Sequence, residues 1–76
     1  MKIYIGNANE YDFHFEGKAI PARSQILLPG DFDDLQLSSL VGSHMNFGFV
    51  RVSDPNFSGS GLCYEIDNPI PNLTLV

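Results

Sequence analysis

The segment Tyr11-Asp12-Phe13-His14-Phe15-Glu16 decides how the rest of the 76-residue chain is read. Its strict alternation sends Tyr11, Phe13 and Phe15 to one side and Asp12, His14 and Glu16 to the other, the pattern of a strand with one buried and one solvated face. Burial on one side only belongs to antiparallel sheets. Glu16-Gly17-Lys18 then reads as a tight turn, and the chain returns through Ala19-Ile20 to Pro21, which cannot donate to a ladder and so marks a strand end or edge.

Working outward, Lys2 to Ile5 alternates as a first strand, and Gly6-Asn7-Ala8-Asn9 supplies four turn-forming residues. Gln25-Ile26-Leu27-Leu28 is a further strand, stopped by Pro29-Gly30. Asp31 is a good N-cap, and Asp33 and Asp34 in the following turn suit the positive end of a helix dipole. Leu37, Leu40, Val41 and His44 follow the i, i+3, i+4, i+7 spacing, which predicts a helix from Phe32 to His44 or Met45. Phe47 to Val52 and Leu62 to Ile66 read as two more strands, separated by the flexible Ser58-Gly59-Ser60-Gly61.

The expected fold is therefore a small α+β domain over residues 1–67. Its mostly antiparallel sheet has about five short strands in the order β-β-β-α-β-β, with one helix across a face. Residues 68–76 differ in kind. Pro69 and Pro71 bias the segment to an extended arm, and Leu73-Thr74-Leu75-Val76 is an apolar end too short to form its own element.

Nine acidic against four basic residues give a net charge of −5, which argues against binding a phosphate backbone. Nucleic acid is not an expected partner. The longest apolar run, Ile26-Leu27-Leu28, is far below the ~20 residues of a membrane span. A lone cysteine, Cys63, fits a reducing compartment and closes no disulfide within the chain. Burial worth ~110 kcal/mol is then set against an ordering cost of about the same size, so a partner is a natural source of extra stability.

Chemistry-bearing residues are sparse. Asp31, Asp33 and Asp34 do not fit a calcium loop, whose sixth and twelfth positions would fall on Gln36 and Gly42 instead of Gly and Glu. His14, His44 and Cys63 lack the spacing of a zinc site and make no recognisable nucleophile and base pair. Gly6 and Gly59-x-Gly61 do not open a helix, so no phosphate cradle and no cofactor are expected. The protein is read as non-enzymatic.

Surface-prone apolar residues carry more information. Phe32, Phe57, Tyr4, Ile70, Leu73 and Leu75 exceed what one helix on a five-stranded sheet readily buries. Ile70, Leu73, Leu75, Val76, Phe57 and Phe32 are accordingly expected to bind a protein partner. The tail can fold back over its own sheet, or Leu73 and Leu75, alternating about Thr74, can add a strand to a neighbour's edge.

Lys2-Ile3-Tyr4-Ile5, Ile20-Pro21-Ala22-Arg23-Ser24-Gln25, Leu28-Pro29-Gly30-Asp31 and Phe47-Gly48-Phe49-Val50 together resemble small proteins encoded by tailed bacteriophages, over roughly residues 2 to 52. That resemblance implies a virion component that decorates or cements a capsid, binding the capsid protein or further copies of itself. As the runner-up, it implies an inhibitor of a host enzyme or defence complex. In the second role Glu10, Asp12, Glu16 and the Asp31, Asp33 and Asp34 cluster would face a basic site. The corresponding locations are the virion and the host cytoplasm.

Overall fold

The structure, a computed structural model, describes residues 1–15, 17–43 and 49–76. It is an α+β domain in the order β1 (Ile3–Asn7), β2 (Phe13–Phe15), β3 (Lys18–Ile20), β4 (Ser24–Leu27), α1 (Asp34–Ser43), β5 (Val50–Arg51), β6 (Leu62–Ile66) and β7 (Thr74–Leu75). Five strands form one sheet in the order β5-β6-β1-β4-β7, while β2 and β3 form a separate two-stranded hairpin. The sheet is mixed. Central β1 runs antiparallel to β4 and β6, and the two-residue edge strands β5 and β7 run parallel to their neighbours.

Register assigns the faces. Ile5 stands opposite Ile26 and Tyr64, so Ile3, Ile5, Ile26 and Tyr64 share one face, which α1 and the hairpin cover. Phe15, Ile20 and Leu28 complete that core, with Phe13, Phe32, Leu37, Leu40 and Phe49 packed around it. Phe49 meets Phe13 and Phe15 edge-on, at centroid distances of 6.3 and 5.7 Å, a geometry aromatic quadrupoles favour. Gly6 stands opposite Gln25 and Cys63 on the other face, where Ala8, Cys63 and Ile70 form a second, smaller core with Tyr4, Val52, Phe57 and Leu73.

Several sequence expectations are corrected. Gly6 and Asn7 belong to β1 and not to a turn, because both partner β4 and β6 in full register. The N-cap is Asp33 and not Asp31. Asp33 Oδ1 accepts from the Gln36 amide at 2.7 Å, and Gln36 Oε1 accepts from the Asp33 amide at 2.9 Å, a reciprocal capping box that starts the helix at Asp34. Asp31 instead pairs with Lys2 at 3.2 Å. Tyr11 lies before β2 and is 67% exposed, since the strand begins only at Phe13. The return arm of the hairpin is a strand in its own right, with Gly17 at φ 75° supplying the left-handed turn. The C-terminal segment also forms an element, β7. His44, Met45, Phe47, Gly48, Glu16 and the side chain of Val41 lie outside the described residues.

Two buried amides hold the irregular segments to the sheet. Asn7, fully buried on the helix face, donates through Nδ2 to the carbonyls of Tyr11 (2.7 Å), Ile20 (3.0 Å) and Pro21 (3.3 Å), and its Oδ1 accepts from the Asn9 amide. Gln25, 1% exposed on the opposite face, does the same for the tail. Its Nε2 donates to the carbonyls of Ile70 (2.8 Å) and Leu73 (2.9 Å), and its Oε1 accepts from the Ile70 amide (2.7 Å). Gly6 makes the tail's close approach possible, because a Cβ there would lie 2.6 Å from Ile70 Cδ1, 2.8 Å from Leu73 Cδ1 and 2.9 Å from Cys63 Sγ. Gly6→Ala is expected to cost about 1–3 kcal/mol in urea unfolding, and an unchanged midpoint would show that the tail yields without loss.

Candidate functional site

The tail leaves β6 at Asp67, whose φ of 63° reverses the chain. Asp67 is tied to Lys2 twice, its amide donating to the Lys2 carbonyl at 2.8 Å and its Oδ1 accepting from the Lys2 amide at 2.9 Å. From there the chain crosses the sheet as a strap over Gly6 and turns at Asn72, also left-handed at φ 69°. It ends as β7 beside β4, where the Thr74 amide donates to the Arg23 carbonyl and the Val76 amide to the Gln25 carbonyl. Strand geometry then points the N–H and C=O of Leu75 away from β4, towards the open edge.

The partner-binding residues expected from sequence are divided by this path. Ile70 is buried, and Leu73 and Phe57 are half-buried in the second core, so the strap covers them within its own chain. Phe32 is half-buried against the first core and contributes to an open apolar groove of about 270 Å³ with Phe15, Leu28, Pro29 and Leu40. Asp31 and Asp33 are engaged by Lys2 and the helix cap, while Asp34 is exposed in the first turn. Leu75 and Val76 remain open at 53% and 68% exposure.

Two exposed leucines escaped the sequence reading, Leu35 on α1 at 80% exposure and Leu27 at the sheet edge. Leu27, on β4, is 41% exposed and lies on the same face of the sheet as Gln25 and Leu75. Period 2 carries the signal, because Ile26 and Leu28 turned into the first core leave Leu27 on the other side. Leu27 and Leu75 therefore border one edge of the sheet as apolar side chains beside an open backbone ladder.

Titratable groups show no reactive centre around this edge. Burial pushes the Cys63 thiol up to about 11, opposed only in part by the nearby Arg23 charge. A raised thiol pKa means the folded state holds its proton longer than the unfolded chain, so stability falls as pH rises from about 9 to 11. The expected loss is roughly 2–3 kcal/mol. Unfolding free energies of the parent and of Cys63→Ala across that range should converge, and parallel curves would refute the assignment. Burial also works to raise Glu65, but the Ile66 amide and the Arg51 guanidinium (2.9 and 2.8 Å) outweigh it and hold the carboxyl below its usual range.

Among the described residues no group of three His, Cys, Asp or Glu side chains is placed to hold a metal, and no helix is long and apolar enough to cross a membrane. No protein-family model, curated protein or solved structure matches the chain.

Proposed function

We propose that the protein is non-enzymatic and acts by binding protein through the β4–β7 edge, as a structural component of a phage virion that decorates or cements a capsid. The observation that carries this reading is the open ladder of Leu75 flanked by exposed Leu27 and Leu75 side chains. An open edge is a template for another strand, and apolar residues beside it give the added strand surface to bury. Two residues are short for such a template, so the leucines must supply much of the contact. The virion context is supported by the resemblance of residues 2 to 52 to small proteins of tailed bacteriophages. Many copies on a regular surface would also tolerate weak individual contacts.

Light scattering over a range of concentrations, at low and high salt, tests this. The expected result is a defined oligomer insensitive to salt that Leu75→Asp returns towards the 8.4 kDa monomer. An 8.4 kDa parent at every concentration removes self-assembly, and an oligomer unaffected by Leu75→Asp removes the edge.

The second reading, an acidic inhibitor of a host protein, draws support from exposed Glu10, Asp12 and Asp34 beside a net charge of −5. Binding of that kind weakens steeply with ionic strength, whereas the edge contact does not.

A further inference from the structure

Below the turn at Asn72, the strap and the segment after β5 enclose a cleft of about 150 Å³. Val52, Phe57 and Leu73 give it apolar walls, and Arg23 and Asn72 bring polar groups to it. Arg23 Nη1 donates to the Ala8 carbonyl at 3.0 Å, which holds the guanidinium in place and leaves other N–H donors of its fork. Among the described residues Arg23 makes no ion pair, whereas Lys2 and Arg51 are paired with Asp31 and Glu65. An unneutralised guanidinium is unexpected in so acidic a chain. Arg23 and Asn72 also hold left-handed backbone conformations, at φ 54° and 69°, which side-chain-bearing residues adopt at a cost.

We propose that this cleft binds a monocarboxylate joined to a compact branched or aromatic group. The Arg23 fork matches the planar carboxylate, Asn72 offers a further donor, and Phe57, Val52 and Leu73 take the apolar part. One guanidinium on a chain of net charge −5 balances a single negative charge, which disfavours phosphates and other multiply charged anions. The proposal is independent of the sheet edge, since the carboxylate can come from a free acid or from the end of a polypeptide.

The test is a titration of the full ¹⁵N-labelled chain with N-acetyl-leucine and, separately, with N-acetyl-leucinamide. The acid is expected to shift Arg23, Val52, Phe57, Asn72 and Leu73 resonances and to bind about tenfold or more tightly than the amide. Arg23→Gln should reduce the acid to the level of the amide. Asn72→Gly, which suits the left-handed backbone, should weaken the acid while leaving the fold intact. Equal affinities for acid and amide, shifts centred elsewhere, or full binding by Arg23→Gln would overturn the proposal. If Arg23→Gln does not fold, the comparison of acid with amide on the unaltered chain decides. A tetrapeptide ending in leucine separates the sources: tighter binding than N-acetyl-leucine assigns the site to a chain terminus, and equal binding to a free acid.

Discussion

Gln25→Leu is expected to cost the domain about 3 kcal/mol or more and to release the C-terminal strap. Leucine fills much of the same volume but can neither donate to the Ile70 and Leu73 carbonyls nor accept from the Ile70 amide. Leaving a buried backbone group without a partner costs about 1–3 kcal/mol, and three such groups depend on this one side chain. A domain of 76 residues commonly has about 4–11 kcal/mol in all, so the variant loses much of its stability. The strap can relieve the penalty only by lifting into water, which uncovers Ile70, Cys63 and Ala8. Urea unfolding combined with amide exchange checks both parts. The expected signature is a lowered midpoint together with lost protection at Ile70, Thr74 and Val76. A midpoint within 0.5 kcal/mol of the parent, with protection retained, would show that the Gln25 amide does not hold the strap.

Asn7→Ala should be comparably severe, at about 3 kcal/mol, but on the other face. Three carbonyls at the base of the β2–β3 hairpin, those of Tyr11, Ile20 and Pro21, would lose the Nδ2 donor they share. Few alternatives exist, since Ile20 is fully buried and water reaches it only if the hairpin moves. Displacing the hairpin would also break the edge-on contacts of Phe13 and Phe15 with Phe49. Exchange protection should therefore fall in β2 and β3 while the Gln25-bound strap keeps its own. Loss spread evenly over the chain would mean that the two faces unfold as one unit and that no single amide secures either. Asn7→Asp should be more severe still, because it keeps an acceptor for the Asn9 amide but sets a buried carboxylate oxygen against the three carbonyls that Nδ2 had satisfied.

The two amides also explain why the sequence reading placed the surface where it did. One-sided alternation in Phe13 and Phe15 made the helix face legible, and the surplus of Phe57, Ile70 and Leu73 then looked like interface. In the structure these three residues pack on the second face of the same sheet. A segment as irregular as the strap has no hydrophobic period, so no local pattern reveals that it lies across Gly6. Gln25 and Asn7 read as ordinary polar residues, one at a strand start and the other in a turn. Their role depends on partners 45 to 48 and 4 to 14 positions away. Asp33-x-x-Gln36 has the spacing of a capping box, a signal that the reading of Asp31 as N-cap passed over among three aspartates within four residues.

By itself the sequence determined the α+β class, the hairpin around Gly17, a helix through Leu37 and Leu40, the Leu62–Ile66 strand, and the absence of a long apolar span. These rest on periodicity and turn chemistry, which act between near neighbours and so survive in a linear text. Tertiary structure alone decided that the sheet is mixed, that the tail joins its own β4 as a parallel edge strand, and that Leu27 and Leu75 stand open together at the β4–β7 edge. It also placed Arg23 on a cleft with Asn72. Each of these depends on long-range pairing, in which backbone groups and buried amides meet across many residues and the free energy of the whole chain selects the register.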